Sequence, residues 1–148
     1  MADETPYRAA PRAEDRSILV VALNGQVVGV DRQTGEIRWK QGTDGGSGGI
    51  GEVFVAMSHG LLLVSGHDAM LVSLDYATGA IKWRGHTYST GRATILVERD
   101  VIVCAKGGYL DCFGHGGMKL WTQPLSGLGQ GRVTLGFPGN VAQADSHR

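Results

Sequence analysis

The sequence has few means of covalent or rigid reinforcement. It carries two cysteines and four prolines in 148 residues. Both cysteines, Cys104 and Cys112, lie in the stretch VIVCAKGGYLDCF. If Gly107-Gly108 is a two-residue hairpin turn, Lys106 faces Tyr109 and Cys104 faces Asp111. Cys112 then points to the other face of the sheet from Cys104. The spacing therefore predicts two reduced, buried thiols and no disulfide. Excess charge is also missing. Lys plus Arg and Asp plus Glu each number 14, which argues against a broad electrostatic grip on nucleic acid or an anionic membrane. No apolar run approaches the ~18 residues of a membrane-spanning helix, so no membrane insertion is expected. The opening MADETPYRAAPRAEDR has no apolar segment of the secretory kind. Residues 1–16 are expected to be a disordered tail, residues 138–148 a C-terminal tail, and the chain cytoplasmic.

What is abundant is glycine, 24 residues, well above the usual ~7%. The glycines punctuate apolar runs, as tight turns do. One cluster, TDGGSGGIG, contains Gly46-Ser47-Gly48-Gly49-Ile50-Gly51 and so matches the G-x-G-x-x-G pattern of phosphate-cradling loops. That function needs a helix N-terminus directly after the loop. Here the strand-like EVFVAMS follows. The cluster is expected to be a connector between strands, as are GHTYSTGR and PLSGLGQGR at the same place in the pattern.

That pattern is an internal repeat. SILVVALNGQVVGVDRQTGEIRW, LLLVSGHDAMLVSLDYATGAIKW and VIVCAKGGYLDCFGHGGMKLW end at Trp39, Trp83 and Trp121. A glycine stands four residues before each tryptophan: Gly35, Gly79 and Gly117. Two repeats share Asp-x-x-Thr-Gly, as Asp31, Thr34, Gly35 and Asp75, Thr78, Gly79; the third is one residue shorter and lacks the Asp and Thr. The Asp side chain can bond turn N–H groups, and Gly takes the positive-φ position. Ser17 to Leu23 reads as a strand, Asn24-Gly25 as a hairpin turn and Gln26 to Val30 as the return strand. Before each further unit runs another strand: VFVAM after Gly51-Glu52, ATILV after Gly91-Arg92 and VTLGF after Gly131-Arg132. Four short strands per ~40 residues predict an all-β fold of four-stranded, antiparallel β-propeller blades over residues 17–137.

The Asp-x-x-Thr-Gly-x-x-x-Trp element closing a four-strand repeat resembles the PQQ-like propeller repeat family. That family includes blades of quinoprotein dehydrogenases, of the outer-membrane assembly lipoprotein and of sensor domains on some bacterial kinases. The resemblance implies that Trp39, Trp83 and Trp121 pack against neighbouring blades. It does not carry over the enzyme chemistry. Quinoprotein dehydrogenases use about eight blades, a vicinal cysteine pair, a floor tryptophan and calcium. Here the cysteines are not adjacent and all three tryptophans belong to the repeat. No catalytic residue, metal site or cofactor is expected; a quinone-cofactor enzyme and a regulatory subunit of a separate effector are the alternatives.

The strand count carries a further expectation. With strands lettered A to D outward from the axis, the chain reads B-C-D, A-B-C-D, A-B-C-D, A. Three blades cannot easily close a ring, and closed propellers have roughly 4–8. The expectation is a homodimer forming six blades, in which Val133 to Phe137 of each protomer completes the Ser17 to Leu23 blade of the other; a nine-bladed trimer and a fragment of a longer protein are the alternatives. The expected role is a non-catalytic binding or scaffold protein with an unknown protein or small-molecule partner. The candidate binding residues are Glu52, Arg92 and Arg132, before the A strands at the funnel mouth, and His67, Asp68, Tyr88 and Lys106 in the loops beside it. The arginines could clamp an anionic ligand or acidic peptide.

Overall fold

Asn24 and Gly25 have φ of 50° and 75°, the left-handed pair that a tight hairpin turn requires. They close Ile18–Leu23 (β1) onto Gln26–Asp31 (β2), and Ile37–Gly42 (β3) completes a three-stranded antiparallel sheet. A computed structural model of the chain describes residues 14–42, 51–128 and 131–143. The second sheet orders Phe54–Ser58 (β4), Leu61–Ser65 (β5), Met70–Leu74 (β6) and Ile81–His86 (β7) as neighbours. The third repeats this with Thr94–Val97 (β8), Val101–Lys106 (β9), Tyr109–Gly114 (β10) and Lys119–Pro124 (β11). These are the expected blades, and no described residue is helical. The connector 43–50, which holds most of the glycine cluster, lies outside the described residues. It is entered from β3 and left into β4, so no helix follows it.

The expected chain ends need correction. Of residues 1–16, residues 1–13 lie outside the described set, but Asp15 accepts hydrogen bonds from Ser17 N at 2.9 Å and Ser17 Oγ at 2.7 Å. Arg16 O accepts one from Arg32 Nη1 at 3.4 Å. This part of the expected tail rests on the first blade. At the other end, Leu135–Phe137 (β12) has a partner of its own, Asn140–Ala142 (β13), within the expected tail. Gly139, at φ 79°, makes the turn. Asn140 Nδ2 ties the hairpin to the third blade through Val97 O at 2.7 Å and Glu98 Oε2 at 2.5 Å. The final A strand therefore does not lack a B strand, and pairing β12 with another protomer's β1 would require β13 to leave.

The Asp-x-x-Thr-Gly turns are built from their own side chains. Asp31 Oδ1 accepts from Gln33 N at 2.8 Å and Thr34 N at 3.0 Å, while Thr34 Oγ1 accepts from Glu36 N at 3.2 Å. These backbone N–H groups, Thr34 first, hold the Asp31 carboxyl below the usual carboxylate range, with Arg38 adding to the effect. Asp75, Thr78 and Ala80 repeat the arrangement. After each turn the outer strand slips by one residue, at Gly29/Val30, Ser73/Leu74 and Cys112/Phe113. The slip falls beside the tryptophan each time, since Gly29, Ser73 and Cys112 pair with Trp39, Trp83 and Trp121. A bulge bends its strand and re-aims the side chains around it.

The tryptophans join blade to blade. Trp39 is buried, donates Nε1 to Tyr76 O at 2.9 Å and covers Gly79 of the next blade, where a Cβ would overlap its ring. Trp83 donates to His115 O at 2.9 Å and covers Gly117, where a Cβ would lie 2.6 Å from the indole. Tyr76 adds a second tie, its hydroxyl donating to Ile18 O at 2.6 Å and accepting from Ile18 N at 2.9 Å. The apolar core lies between sheets. Leu62, Val64, Val72 and Leu74 meet Ile18, Val27 and Trp39 of the first blade. Leu63 and Leu71 meet Ile95, Ile102, Cys104 and Phe113 of the third. Each such side chain contributes roughly 1.5–3 kcal/mol when fully buried.

The cysteine expectations hold. Cys104 pairs with Asp111, Lys106 with Tyr109 and Cys112 with Val103, and both thiols are free and buried. Burial pushes the Cys104 thiol up to about 12 from 9.0. The folded state thus keeps a proton that the unfolded chain loses above pH 9. The stability associated with Cys104 is complete below pH 9 and is lost as pH rises toward 12. The expected result is that the stability advantage of wild type over Cys104→Ala shrinks by about 1.4 kcal/mol per pH unit in that window. Urea unfolding of both proteins across alkaline pH checks it; a constant difference would refute it.

Candidate functional site

Glu52, Arg92 and Arg132 stand just before β4, β8 and β12, and β8 packs beside both β4 and β12, which brings the residues before them to one mouth. Glu52 and Arg92 form an ion pair there, Nη2 to Oε1 at 3.2 Å. The Arg92 guanidinium also lies 6.0 Å from the centre of the Phe54 ring. His67 Nε2 stands 3.4 Å from the same Glu52 oxygen, and its ring meets Phe54 edge-on at 5.4 Å. The His67 carbonyl accepts from Gly91 N at 2.8 Å, which fixes the connector before Arg92. Arg132 joins Arg92 and Phe54 in lining a small cleft with Gly131, Thr94 and Val133. Four of the expected binding residues, Glu52, His67, Arg92 and Arg132, therefore gather around Phe54. The sequence reading missed Phe54 itself, whose only signal was an aromatic residue at the first A-strand position.

The other three expected residues lie elsewhere. Lys106 is buried, with its ammonium turned into the preceding blade. It donates to Gly66 O at 3.0 Å, to Met70 O at 3.3 Å and to Asp68 O. Gly66 and Asp68 lie in the turn between β5 and β6 and Met70 opens β6, so Lys106 seals that turn rather than facing a ligand. Burial holds its ammonium below the ordinary lysine pKa, against the opposing pull of Cys104, Asp68 and Asp111. Asp68 thus supplies a backbone acceptor and a nearby negative charge to an interblade lock.

Tyr88 is exposed, with its ring 4.3 Å from that of Tyr109. Its backbone N–H donates to Asp111 Oδ2 at 2.9 Å. Asp111 is fully buried, accepts from Thr122 Oγ1 at 2.6 Å and pairs with Lys119 Nζ at 2.9 Å. A buried carboxylate so enclosed has its charge compensated and its geometry set; it organises the rim and offers no open oxygen for proton transfer. Among the described residues, no group of three or more His, Cys, Asp or Glu could hold a metal ion.

The blades have known counterparts. The chain is similar to BamB from Moraxella catarrhalis at 17% identity and TM-score 0.61, covering 86% of this chain and 43% of that one. It is similar to the computationally designed Ika8 protein at 19% identity and TM-score 0.64, over 84% of this chain and 38% of that one. A quinohemoprotein alcohol dehydrogenase from Comamonas testosteroni matches at 21% identity and TM-score 0.57, over 73% of this chain and 19% of that one. At these identities the likeness shows the fold alone. The chain spans less than half the length of each of these structures. No curated protein matches it in sequence. Residues 4–143 match the family model described as outer membrane protein assembly factor BamB, and the chain belongs to that family of PQQ-like β-propeller repeats.

Proposed function

We propose that the chain is a non-catalytic binding module, a part-propeller whose inner mouth takes an anionic group through Arg92 and Arg132. The observation that carries this reading is that arginines from successive repeats line one cleft, beside an aromatic face. Two guanidiniums set just before neighbouring strands suit a carboxylate-rich ligand, such as a small polycarboxylate or an acidic peptide segment. Glu52 is the internal competitor, because it already holds Arg92. An incoming carboxylate would replace it at Arg92, so Glu52 screens that arginine until a ligand arrives.

Calorimetric titration with citrate and with a short polyglutamate peptide tests this. Arg92→Ala and Arg132→Ala should each weaken binding about tenfold, and Glu52→Gln should tighten it. Binding should fall steeply with salt. No binding of either probe to wild type, or equal binding to wild type and both arginine variants, would refute the reading. In a six-bladed ring of two copies, the mouth would hold four such arginines and two Glu52 carboxylates.

A further inference from the structure

The repeat exposes two half-finished junctions that match each other. Strand register makes Leu19, Leu62 and Ile102 equivalent, since each stands one place before the residue opposite Gly29, Ser73 or Cys112. By the same register Val21, Val64 and Cys104 are equivalent. In the second and third blades these positions face the preceding blade and are closed: Leu62 is 1% exposed and Ile102 0%. In the first blade Leu19 is 60% exposed, and Val21 and Leu23 are exposed with it. On the far flank the sequence of tryptophans breaks off in the same way. Trp39 is 7% exposed beneath the next blade's Gly79, whereas Trp121 is 47% exposed. Gly35, which heads the first blade's turn as Gly79 heads the second, has nothing within 4 Å of its Cβ position.

We infer that the occupant of both flanks is a second copy of this chain, with Trp121 of each protomer seated on Gly35 of the other. The chain shows what covers such a tryptophan: twice within it, an indole rests on the glycine of the next repeat's turn. Trp121 lacks a following turn glycine, and Gly35 lacks a preceding tryptophan. By the same register Val101 and Leu110, both half-buried, stand in the third blade where Ile18 and Val27 stand in the first, and with Trp121 they form the flank that would meet Leu19 and Val21. Two such junctions under a two-fold axis close a ring, so the interface does not propagate into fibres. In that ring β1 of the second copy takes the edge of β12 that β13 covers in the single chain. The inference deepens the part-propeller reading above but does not depend on which ligand the mouth takes.

The test is the solution mass of the full 148-residue chain by light scattering over a concentration series. Wild type should reach twice 15.7 kDa, with tryptophan emission shifting blue as Trp121 becomes covered. Trp121→Ala and Gly35→Asn should each raise the dissociation constant at least tenfold and abolish the blue shift. Asparagine tolerates the φ of 79° at Gly35 while adding the Cβ that an indole cannot pass. Far-UV circular dichroism should show both variants folded. As an independent readout, Gly35→Cys mixed with Trp121→Cys should give one oxidised heterodimeric cross-link, and neither protein alone should. A wild type that stays monomeric, or a dimer unmoved by either variant, would overturn the inference. Anion titration of the same samples separates this outcome from failure of the binding reading.

Discussion

Lys106→Met should lower the stability of the chain by about 3 kcal/mol, as a downward shift of the urea midpoint with little change in slope. The reason is the ammonium's position. Three carbonyls, those of Gly66 and Asp68 in the β5–β6 turn and of Met70 at the start of β6, receive it inside the interface between the second and third blades. Gly66 O and Asp68 O would lose this donor, at roughly 1–3 kcal/mol for each buried acceptor left unpaired, while Met70 O keeps the Ser65 hydroxyl at 2.6 Å. Loss of the desolvated charge returns part of that cost. Methionine keeps most of the stem's volume, so the measurement reads the lost hydrogen bonds and not a cavity. The sequence-based expectation, a lysine in a loop waiting for a ligand, predicts a different result: a change of at most about 0.5 kcal/mol, as for an ordinary surface site. A midpoint within that range would show that the Gly66 and Asp68 carbonyls find other partners.

Trp39→Ala should destabilise by about 3–5 kcal/mol, the range for removing a large buried aromatic side chain. The indole is closed in between Gly29 of its own sheet and Gly79 of the next, and its N–H satisfies Tyr76 O. Trp121→Ala should cost the isolated chain less than about 1 kcal/mol, because that ring has no following blade to lean on. Urea unfolding of the two variants at low protein concentration, where association is suppressed, makes the comparison direct. Equal costs would mean that Trp121 is already covered within one chain. That outcome would contradict the observed geometry at the third blade.

Much of the architecture was legible because its causes are local. An Asn-Gly pair favours left-handed φ by its own chemistry, and an Asp-x-x-Thr-Gly stretch ties its own turn with its own oxygens. Register followed from these turns, and Cys104 meets Asp111 as the Gly107-Gly108 turn required. The gathering of Glu52, Arg92 and Arg132 at one mouth was legible for a related reason. Each stands at the same place in a repeat, so a common axis brings them near one another.

Three features had no local cause. Residues 140–142 are too short and too polar at Asn140 to announce a strand. They form one because Gly139 turns the chain back on β12 and Asn140 reaches the β8–β9 turn. Asp111 looked like any strand carboxylate until Tyr88, Thr122 and Lys119 closed around it. Lys106 looked like a solvated turn residue.

By itself the sequence determined the all-β class, the four-strand repeat, the turn geometry and the kinship with PQQ-like propeller blades, since periodicity and turn chemistry act within a few residues. Tertiary structure alone decided which polar side chains face the mouth and which are locked between blades. A lysine's surroundings depend on carbonyls some 40 residues away, and only the packing of one blade on the next brings them within its reach.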